Sequence, residues 1–261
     1  MKHIFIPSGG LANRVRVILS ALQWQNDYGQ KVSVWWHANS DLACRFEDIY
    51  MPVKEISEIG RGRLLWFRFM KKLAKWHLLS WRTVLDSLQY SDVNQFVTNY
   101  TGGGKMMCRS FSRFYEGTTP DYHQVFRLNT FMQQQVAEAQ QCILPTTIGV
   151  HIRRTDNVDS IRQSPLQAFE AKMDNQLKDY PDTTFYLATD DPNVQEAFCK
   201  KYGKRMIIRK GTLARDSQEG IRHAVVELYT LAACREIWGS YYSSFSELAA
   251  QIGNKKLTIV Q

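Results

Sequence analysis

The second half of the chain alternates short apolar runs with longer amphipathic segments. Runs of strand length lie at residues 148–152, 184–188, 205–209 and 236–239, and helical patterns lie near residues 166–179, 193–202, 218–233 and 245–252. Strands that alternate with helices are typical of a parallel sheet that is covered by helices on both faces. We therefore expect a Rossmann-like α/β domain beyond Pro145.

The chain opens with a similar unit. Residues 2–6 predict a short buried strand, residues 7–10 a turn, and residues 32–36 a second strand. The helix between them has a C-cap at Gly29 and carries on one face Leu11, Val15, Ile18, Leu19 and Leu22. A glycine-rich loop before a helix favours phosphate, because free N–H groups face it. A tight structural turn explains the loop equally well, and Arg14 and Arg16 beyond it are expected to face solvent.

A basic, aromatic segment follows, with no acidic residue between positions 59 and 85. Its cations are Arg61, Arg63, Arg68, Lys71, Lys72, Lys75 and Arg82. As a helix, it would carry one apolar stripe made of Trp66, Phe69, Met70, Leu73 and Trp76. Two interpretations stay open: a helix that packs on its own domain with a solvated basic face, and peripheral contact of residues 61–82 with an anionic membrane.

The domain junction is expected near a loop-rich stretch over residues 100–120, which contains three consecutive glycines. A polar helical segment follows at residues 128–141. We place the two domains at residues 1–122 and 123–261.

Composition limits the class of protein and of partner. The 261 residues are 44% hydrophobic and 22% charged, as in a globular protein of one or two domains, and the net charge of +8 favours an anionic partner. The five cysteines include no CxxC pair, which speaks against a zinc site or a disulfide framework and favours a reducing cytoplasm. No signal peptide and no run of about 18 apolar residues is recognised. We expect a cytoplasmic protein, peripheral at most to the inner membrane face.

Candidate chemistry is concentrated in residues 149–156, whose sequence is GVHIRRTD. A buried strand there would deliver His151, Arg153, Arg154 and Asp156 to its C-terminal end, where ligands bind in open α/β sheets. Adjacent guanidiniums suit a phosphate because each is a planar, permanently charged donor fork. Solvated charges at a surface strand end are the alternative.

Four motifs, taken together and in order, resemble those of the GT-B-fold fucosyltransferase superfamily. They are PSGGLANR (7–14), GVHIRRTD (149–156), LATDDP (187–192) and SYYSSFSELA (240–249). The resemblance covers residues 4–25 and 146–252 and is thin between residues 30 and 125. It implies an α/β, GT-B fold of two Rossmann-like domains that face each other across a cleft. It also implies an acceptor-side N-terminal domain, a C-terminal domain that holds GDP-fucose, and inverting, metal-independent transfer.

The resemblance also implies roles for individual residues. Arg153 would stabilise the charge that develops on departing GDP, with Arg154 as its neighbour in phosphate binding or cleft architecture. The other donor-binding residues expected at matching positions are Gly9, Gly10, Asn13, His151, Asp156, Asp190, Asp191, Glu227, Ser243 and Ser244. Glu227 stands where relatives have aspartate, and a carboxylate there can accept from the guanine N1 and N2 donors.

Several of these residues have a plainer interpretation. His151 would be a histidine satisfied inside the sheet edge, and Glu227 an exposed helix position. Ser244 would cap the 245–252 helix, with Glu247 completing a capping box. The Asp190–Asp191 pair could hold a divalent metal, as in GT-A enzymes, but two arginines already supply positive charge. We expect no metal and no cofactor besides the donor substrate.

The general base is the least defined part of the site. Some relatives carry a glutamate five positions beyond the motif aspartate, where this chain has Ile161. Asp159 lies nearby and is the expected substitute, unless a cationic transition state proceeds with little base assistance.

The function expected from these observations is transfer of fucose from GDP-fucose to a hydroxyl of a glycan or lipid-linked glycan. The alternatives are a transferase that uses another nucleotide sugar and a non-catalytic nucleotide- or nucleic-acid-binding protein. Nucleic acid is disfavoured as a partner, because the cations are concentrated in an amphipathic segment without a recognised binding motif.

Overall fold

The structure of this chain, a computed structural model, describes residues 3–76, 82–86, 105–118, 121–155 and 158–261. The chain divides into two units, Met1–Asn129 and Thr130–Gln261. Each unit contains one five-stranded sheet in which all paired strands are parallel. The predicted α/β fold with two parallel sheets is therefore confirmed, while the domain boundary after residue 122 stays a prediction.

The sheet of the first unit has the strand order β3-β2-β1-β5-β4. Its strands are β1 (His3–Pro7), β2 (Val32–Trp36), β3 (Ile56–Glu58), β4 (Arg82–Asp86) and β5 (Lys105–Ser110). The described helices are α1 (Leu11–Tyr28), α2 (Arg61–Lys75) and α3 (Tyr122–Val125). Gly29, at φ +62°, adopts the left-handed conformation of the predicted C-cap of α1.

Strand β5 lies inside the stretch that was expected to be a loop, residues 100–120. It pairs with β1 in the centre of the sheet, and Met106, Met107 and Cys108 are buried. Met and Cys are not β-branched, and three glycines precede the strand, so the loop signal dominates the sequence pattern there. The loop prediction is wrong for residues 105–110, and residues 101–104 and 119–120 lie outside the described residues.

Helix α2 packs on its own unit through only part of the predicted stripe. Phe67 and Met70 are buried in a cluster with Ile4, Ile6 and Met107. The stripe members Trp66, Phe69 and Trp76 are exposed instead. Counting along the helix alone cannot decide which of two adjacent apolar faces meets the sheet. The predicted stripe is therefore confirmed for Met70 and Leu73, which pack on this cluster, and wrong for the other three members. Residues 77–81 of the 61–82 segment lie outside the described residues.

The sheet of the second unit has the strand order β10-β9-β6-β7-β8. Its strands are β6 (Thr147–Ile152), β7 (Thr184–Thr189), β8 (Met206–Ile207), β9 (Ile237–Ser240) and β10 (Leu257–Val260). Its helices are α4 (Thr130–Gln140), α5 (Val158–Gln163), α6 (Leu166–Asp179), α7 (Pro192–Tyr202), α8 (Gln218–Ala233) and α9 (Ser244–Gly253). No helix among the described residues is long and apolar enough to cross a membrane.

The strand order reverses direction between β6 and β9, since the chain runs outward from β6 through β7 to β8 and then returns to β9. In open α/β sheets the crevice at such a switch point, outside the carboxyl ends of the strands, is where ligands bind. The residues that follow Ile152 and Ser240 therefore occupy the ligand-binding edge of this sheet.

Gly149 allows helix α8 to approach strand β6 closely. A Cβ atom at this position would lie 2.9 Å from Leu231 Cδ2 and 3.3 Å from Cys234 Cβ. Both separations are shorter than ordinary van der Waals contact between carbon atoms. The absence of a side chain at Gly149 thus lets α8 lie against the strand that carries the candidate site.

Replacing Gly149 by alanine should lower the free energy of unfolding by about 1–3 kcal/mol, because the added methyl overpacks this contact. Gly62→Ala is the matched control, since a Cβ at that position in helix α2 meets nothing within 4 Å. The control should raise stability by up to about 1 kcal/mol through helix propensity. Urea unfolding midpoints measure both changes, and equal effects of the two substitutions would refute the packing role of Gly149.

Candidate functional site

One carboxylate, Asp190, joins several groups at the C-terminal edge of the second sheet. Its Oδ2 atom lies 3.4 Å from Arg153 Nε and 3.4 Å from Arg215 Nη2, and it accepts a hydrogen bond of 2.7 Å from Thr155 Oγ1. Its Oδ1 atom accepts a bond of 2.7 Å from the backbone N–H of Arg154. Asp190 therefore holds two guanidiniums and the backbone after β6 in one place.

Asp190 is ionised in this arrangement. Burial opposes ionisation, but the hydrogen bonds from Thr155 and the Arg154 backbone, with the positive charge of Arg153, outweigh it and lower the pKa of Asp190. The negative charge in turn offsets the repulsion between the guanidiniums of Arg153 and Arg215. The site at the strand ends contains two positive guanidiniums, one negative carboxylate and a neutral hydroxyl. Its net charge is therefore positive, which suits an anion.

The two adjacent arginines of the motif occupy different environments. The guanidinium of Arg154 donates from Nη1 to the Arg153 carbonyl at 3.2 Å and from Nη2 to the Ser164 carbonyl at 2.6 Å. Burial lowers the pKa of Arg154. Its side chain thus braces the backbone between β6 and α6, while Arg153 meets Asp190 at the edge of the sheet.

The loops after β6 and β9 are tied together across the switch point. The backbone N–H of Arg153 donates to Ser240 Oγ at 3.0 Å, and that hydroxyl donates to the His151 carbonyl at 3.3 Å. Ser243 Oγ lies 3.3 Å from His151 Nδ1. Three contacts between two strand ends fix the backbone from which Arg153 projects.

His151 is buried, with its ring 5.0 Å from that of Phe245. Burial lowers the pKa of His151, and the charges of Arg153 and Arg215 reinforce the effect against the opposing charge of Asp190. The imidazole is therefore neutral at neutral pH. This is the satisfied sheet-edge histidine of the plainer interpretation, and a contact between His151 and a nucleoside stays a prediction.

Helix caps account for two of the predicted polar residues. Asp191 is the N-cap of α7, where its carboxylate accepts from the Asn193 N–H at 2.9 Å. Helix α9 begins at Ser244, and its N-cap is Ser243, whose side chain makes no cap bond and contacts His151 instead. The predicted cap by Ser244 is therefore wrong, because the helix starts one residue earlier than expected.

Glu227 is buried on helix α8, so the exposed position considered for it is wrong. Its Oε1 atom lies 3.6 Å from Nε2 of His223, one turn earlier. Arg209 contacts Nδ1 of His223 and also donates from Nη2 to Gln135 Oε1 at 3.2 Å. Because an arginine can only donate, Nδ1 of His223 is the acceptor and its proton lies on Nε2, facing Glu227.

A buried arginine, Arg14, holds the glycine loop of the first unit in place through hydrogen bonds. Arg14 donates to the Gly9 carbonyl at 2.8 Å, the His37 carbonyl at 2.5 Å and Asn39 Oδ1 at 2.7 Å. Burial lowers the pKa of Arg14 to about 10, so it remains charged at neutral pH. The expectation that Arg14 faces solvent is therefore wrong, because the loop carbonyls need a donor.

The other predicted residues of that loop lie at the start of α1. Gly9 has φ +76°, which favours glycine, and a Cβ there would lie 3.1 Å from Asn13 Nδ2. Gly10 is the N-cap of α1, and a Cβ on it would meet nothing within 4 Å. The structure thus places Gly9, Gly10 and Asn13 together at the carboxyl end of β1.

The expected general base is exposed. Asp159 lies in α5 and forms a salt bridge of 2.8 Å with Arg162, one turn later. Asp156 lies outside the described residues. The catalytic role of Asp159 stays a prediction.

Sequence patterns missed three residues that complete the site: Thr155, Arg215 and Ser240. Arg215 lies in the loop between β8 and α8, where neither period nor motif marks it. Thr155 and Ser240 stand inside recognised motifs and were overlooked beside the charged residues. Ser240 is the last residue of β9 and Thr155 lies three residues beyond β6, so a hydroxyl close to the end of a buried strand is the signal that identifies both.

No group of three or more His, Cys, Asp or Glu side chains that could hold a metal ion occurs within the described ranges. Asp190 and Asp191 have different partners, arginines for the first and a helix N-terminus for the second. The pair therefore does not converge on one point in this structure.

Comparison with solved structures identifies the fold. NodZ α-1,6-fucosyltransferase, known from Bradyrhizobium and soaked with GDP-fucose, shares 13% identity over 97% of this chain and 93% of its own, with a TM-score of 0.63. A mutant of Arabidopsis thaliana FUT1 in complex with GDP has 13% identity, 99% and 69% coverage, and a TM-score of 0.63. POFUT1 in complex with GDP has 9% identity, 99% and 98% coverage, and a TM-score of 0.55.

These similarities show that the chain has the fold of fucosyltransferases, the proteins whose motifs it resembles. No protein-family model and no curated protein sequence matches it significantly. At such low identity the likeness shows the fold alone, so roles of individual residues depend on the geometry described above.

The substitution Glu227→Gln should raise the free energy of unfolding, and this increase should be larger at pH 8 than at pH 5. Burial raises the pKa of Glu227, so the folded chain binds this proton more strongly than the unfolded chain does. The ionised carboxylate therefore destabilises the fold above the raised pKa, and this penalty disappears as the pH falls towards the unfolded value near 4.5. Urea unfolding of both proteins at pH 5 to 8 measures the difference.

The control is Glu219→Gln, an exposed position in the first turn of the same helix. Its effect should be small and constant over this pH range. A Glu227→Gln effect that is equally constant would contradict a raised pKa.

Proposed function

We propose that this chain is an inverting, metal-independent glycosyltransferase that moves fucose from GDP-fucose to a hydroxyl of a glycan. The observation that carries the proposal is the pair of guanidiniums, Arg153 and Arg215, held by Asp190 at the switch point of the second sheet. The likeness in fold to fucosyltransferases crystallised with GDP or GDP-fucose supports the choice of donor.

In this proposal the diphosphate lies at the carboxyl ends of β6, β7 and β9. Arg153 binds the β-phosphate and stabilises the negative charge that grows as the bond to fucose breaks. Arg215 adds a second cation, and Arg154 acts through the backbone, holding Arg153 in position. Positive charge fixed before the reaction needs no reorganisation in the transition state, which is why such sites accelerate departure of a phosphate leaving group.

The two units take different roles in this proposal, in a GT-B arrangement with a cleft between them. The C-terminal domain binds the donor, and Ser243, Ser244 and Glu227 contribute to the phosphate and guanosine subsites. The N-terminal domain, residues 1–122, binds the acceptor and offers Gly9, Gly10 and Asn13 to the diphosphate. Support comes from the two serines, which follow β9, and from the glycine loop, which follows β1, because both lie at carboxyl ends of parallel strands.

Inversion requires a group that takes the proton of the acceptor hydroxyl on the face opposite the leaving group. We assign this role to Asp159, on the short helix α5 that follows the Arg153 loop. Its carboxylate is exposed and lies 2.8 Å from Arg162, so the acceptor hydroxyl can reach it from solvent. The acceptor is a glycan or lipid-linked glycan.

A donor with another nucleotide is the second candidate. Glu227, in place of the aspartate of relatives, is buried against His223 rather than presented at the surface. A carboxylate engaged in this way recognises guanine only if it turns away from His223.

Binding of GDP, UDP, ADP and single-stranded nucleic acid, each with and without EDTA, tests the donor class. We expect GDP to bind with micromolar affinity, at least about tenfold more tightly than the other nucleotides, because two arginines and a base-specific carboxylate act together. Isothermal titration calorimetry gives the constants. A preference for UDP or ADP refutes the fucosyl donor, and loss of GDP binding in EDTA refutes a metal-free site.

Arg153→Ala should lower GDP-fucose turnover by about 100-fold or more, since removal of one preorganised donor to a developing charge commonly has that effect. Arg113→Ala is the control, because that arginine forms an exposed salt bridge with Glu116 in the first unit. Release of GDP during transfer to, or hydrolysis of, the donor measures turnover. Near-normal turnover by the Arg153 variant would refute the proposed role of Arg153 in stabilising the departing GDP.

Arg215→Ala should weaken GDP binding by about 10- to 100-fold, the usual contribution of a hydrogen bond to a charged phosphate oxygen. Arg215→Lys should restore part of the affinity, since the charge is kept and the fork is lost. Calorimetry with GDP and with guanosine separates a phosphate contact from a general disturbance. Equal weakening for both ligands would contradict a phosphate role.

A further inference from the structure

Helix α2 carries a large exposed apolar face although it is already packed on its sheet. At about 100° per residue, Phe67 and Met70 project towards the sheet, and another side of the helix carries a second apolar group. That group consists of Leu65, Trp66, Phe69 and Trp76, which are 60%, 40%, 57% and 65% exposed. These four positions span a sector about 100° wide next to the buried face.

Cations fill the sector on the opposite flank of the exposed apolar group. Arg61, Arg68, Lys71, Lys72 and Lys75 project within about 100° of one another, and all five are exposed. The sequence contains no acidic residue between positions 59 and 85. The helix therefore has three faces: buried against the sheet, exposed apolar, and exposed cationic.

We infer that α2 is an interfacial helix that binds the surface of an anionic lipid bilayer. Leu65, Phe69 and the two tryptophans would enter the boundary between headgroups and acyl chains, and the lysines and arginines beside them would meet lipid phosphates. Tryptophan favours this boundary because its ring is apolar and its N–H is polar. The helix is 15 residues long, roughly 22 Å, and lies flat along the membrane surface.

The chemistry of the faces selects a bilayer over other anionic partners. Nucleic acid offers phosphates to cations and stacking surfaces to aromatic rings, but it has no apolar layer for Leu65. An acidic protein would pair with the cations, but it would also need an apolar groove beside its carboxylates to cover the four apolar side chains. A bilayer with anionic headgroups satisfies both exposed faces at once, and this inference does not depend on the proposed transferase activity.

Sedimentation with vesicles of phosphatidylcholine, with and without 30% phosphatidylglycerol at roughly physiological salt, tests the inference directly. We expect the full chain to bind the anionic vesicles at least about tenfold more tightly than the neutral ones. Substitution of Leu65, Phe69 and Trp76 by serine should weaken binding by about 100-fold or more. All three side chains are exposed, so circular dichroism should show an unchanged fold.

The matched apolar control replaces Phe131, Leu144 and Tyr180, which are similarly exposed in the second unit, by serine and should bind normally. For charge, Lys72→Glu with Lys75→Glu should lower binding by about 30-fold or more. Lys178→Glu with Lys200→Glu, also at exposed last turns of helices, should not. Vesicle binding should also shift the tryptophan emission to the blue, and Trp66→Phe with Trp76→Phe should remove most of that shift.

Equal binding of neutral and anionic vesicles, or an effect of the control variants as large as that of the α2 variants, would overturn the inference. Preferential capture of single-stranded RNA over anionic vesicles would overturn it too. GDP affinity is measured in the same preparations, so that absence of vesicle binding can be distinguished from absence of donor binding.

Discussion

Asp190 is the group on which the arrangement at the edge of the second sheet depends. Two guanidiniums that approach each other without a counter-charge repel, and their long side chains would separate into solvent. One largely buried carboxylate oxygen draws Arg153 and Arg215 to the same point and takes a third donor from Thr155. Its second oxygen holds the Arg154 backbone, so the cations and the strand end form one unit.

The surrounding contacts make that unit rigid. Arg154 turns its guanidinium onto two carbonyls, and Ser240 and Ser243 tie the end of β9 to the end of β6. A neutral, buried His151 beneath them adds no charge that would vary near neutral pH. The sheet thus presents fixed positive charge at its switch point. We propose that this charge receives the diphosphate of a sugar nucleotide.

Much of the fold could be predicted because its signals are local and periodic. The helices at residues 166–179 and 218–233 have the predicted bounds, and strands β1, β2, β6 and β7 lie where apolar runs indicate. Strand β5 was not predicted, because Met and Cys give a weak strand signal after three glycines. The buried face of α2 was predicted only in part, because two apolar sectors lie side by side on the helix. Only tertiary packing decides which of the two sectors is buried.

The candidate site was predicted only where its residues belong to motifs next to strand ends. Motifs mark residues next to strand ends, and Arg153, Arg154 and Asp190 do meet there. Arg215 and the network around Glu227 depend on how a loop and a helix fold back, which spacing alone cannot show. Arg14 was expected at the surface, and an exposed position was the alternative for Glu227, because frequency favours exposure for charged residues. Both are buried instead: Arg14 donates to carbonyls of its own unit, and Glu227 lies 3.6 Å from His223.

We propose that Asp190 holds Arg153 and Arg215 in place for a diphosphate. A crystal structure of the chain with GDP tests it most directly. We expect the β-phosphate within hydrogen-bond distance of both guanidiniums, with the contacts of Asp190 intact. GDP bound elsewhere on the chain, or a diphosphate that touches neither arginine, would contradict it.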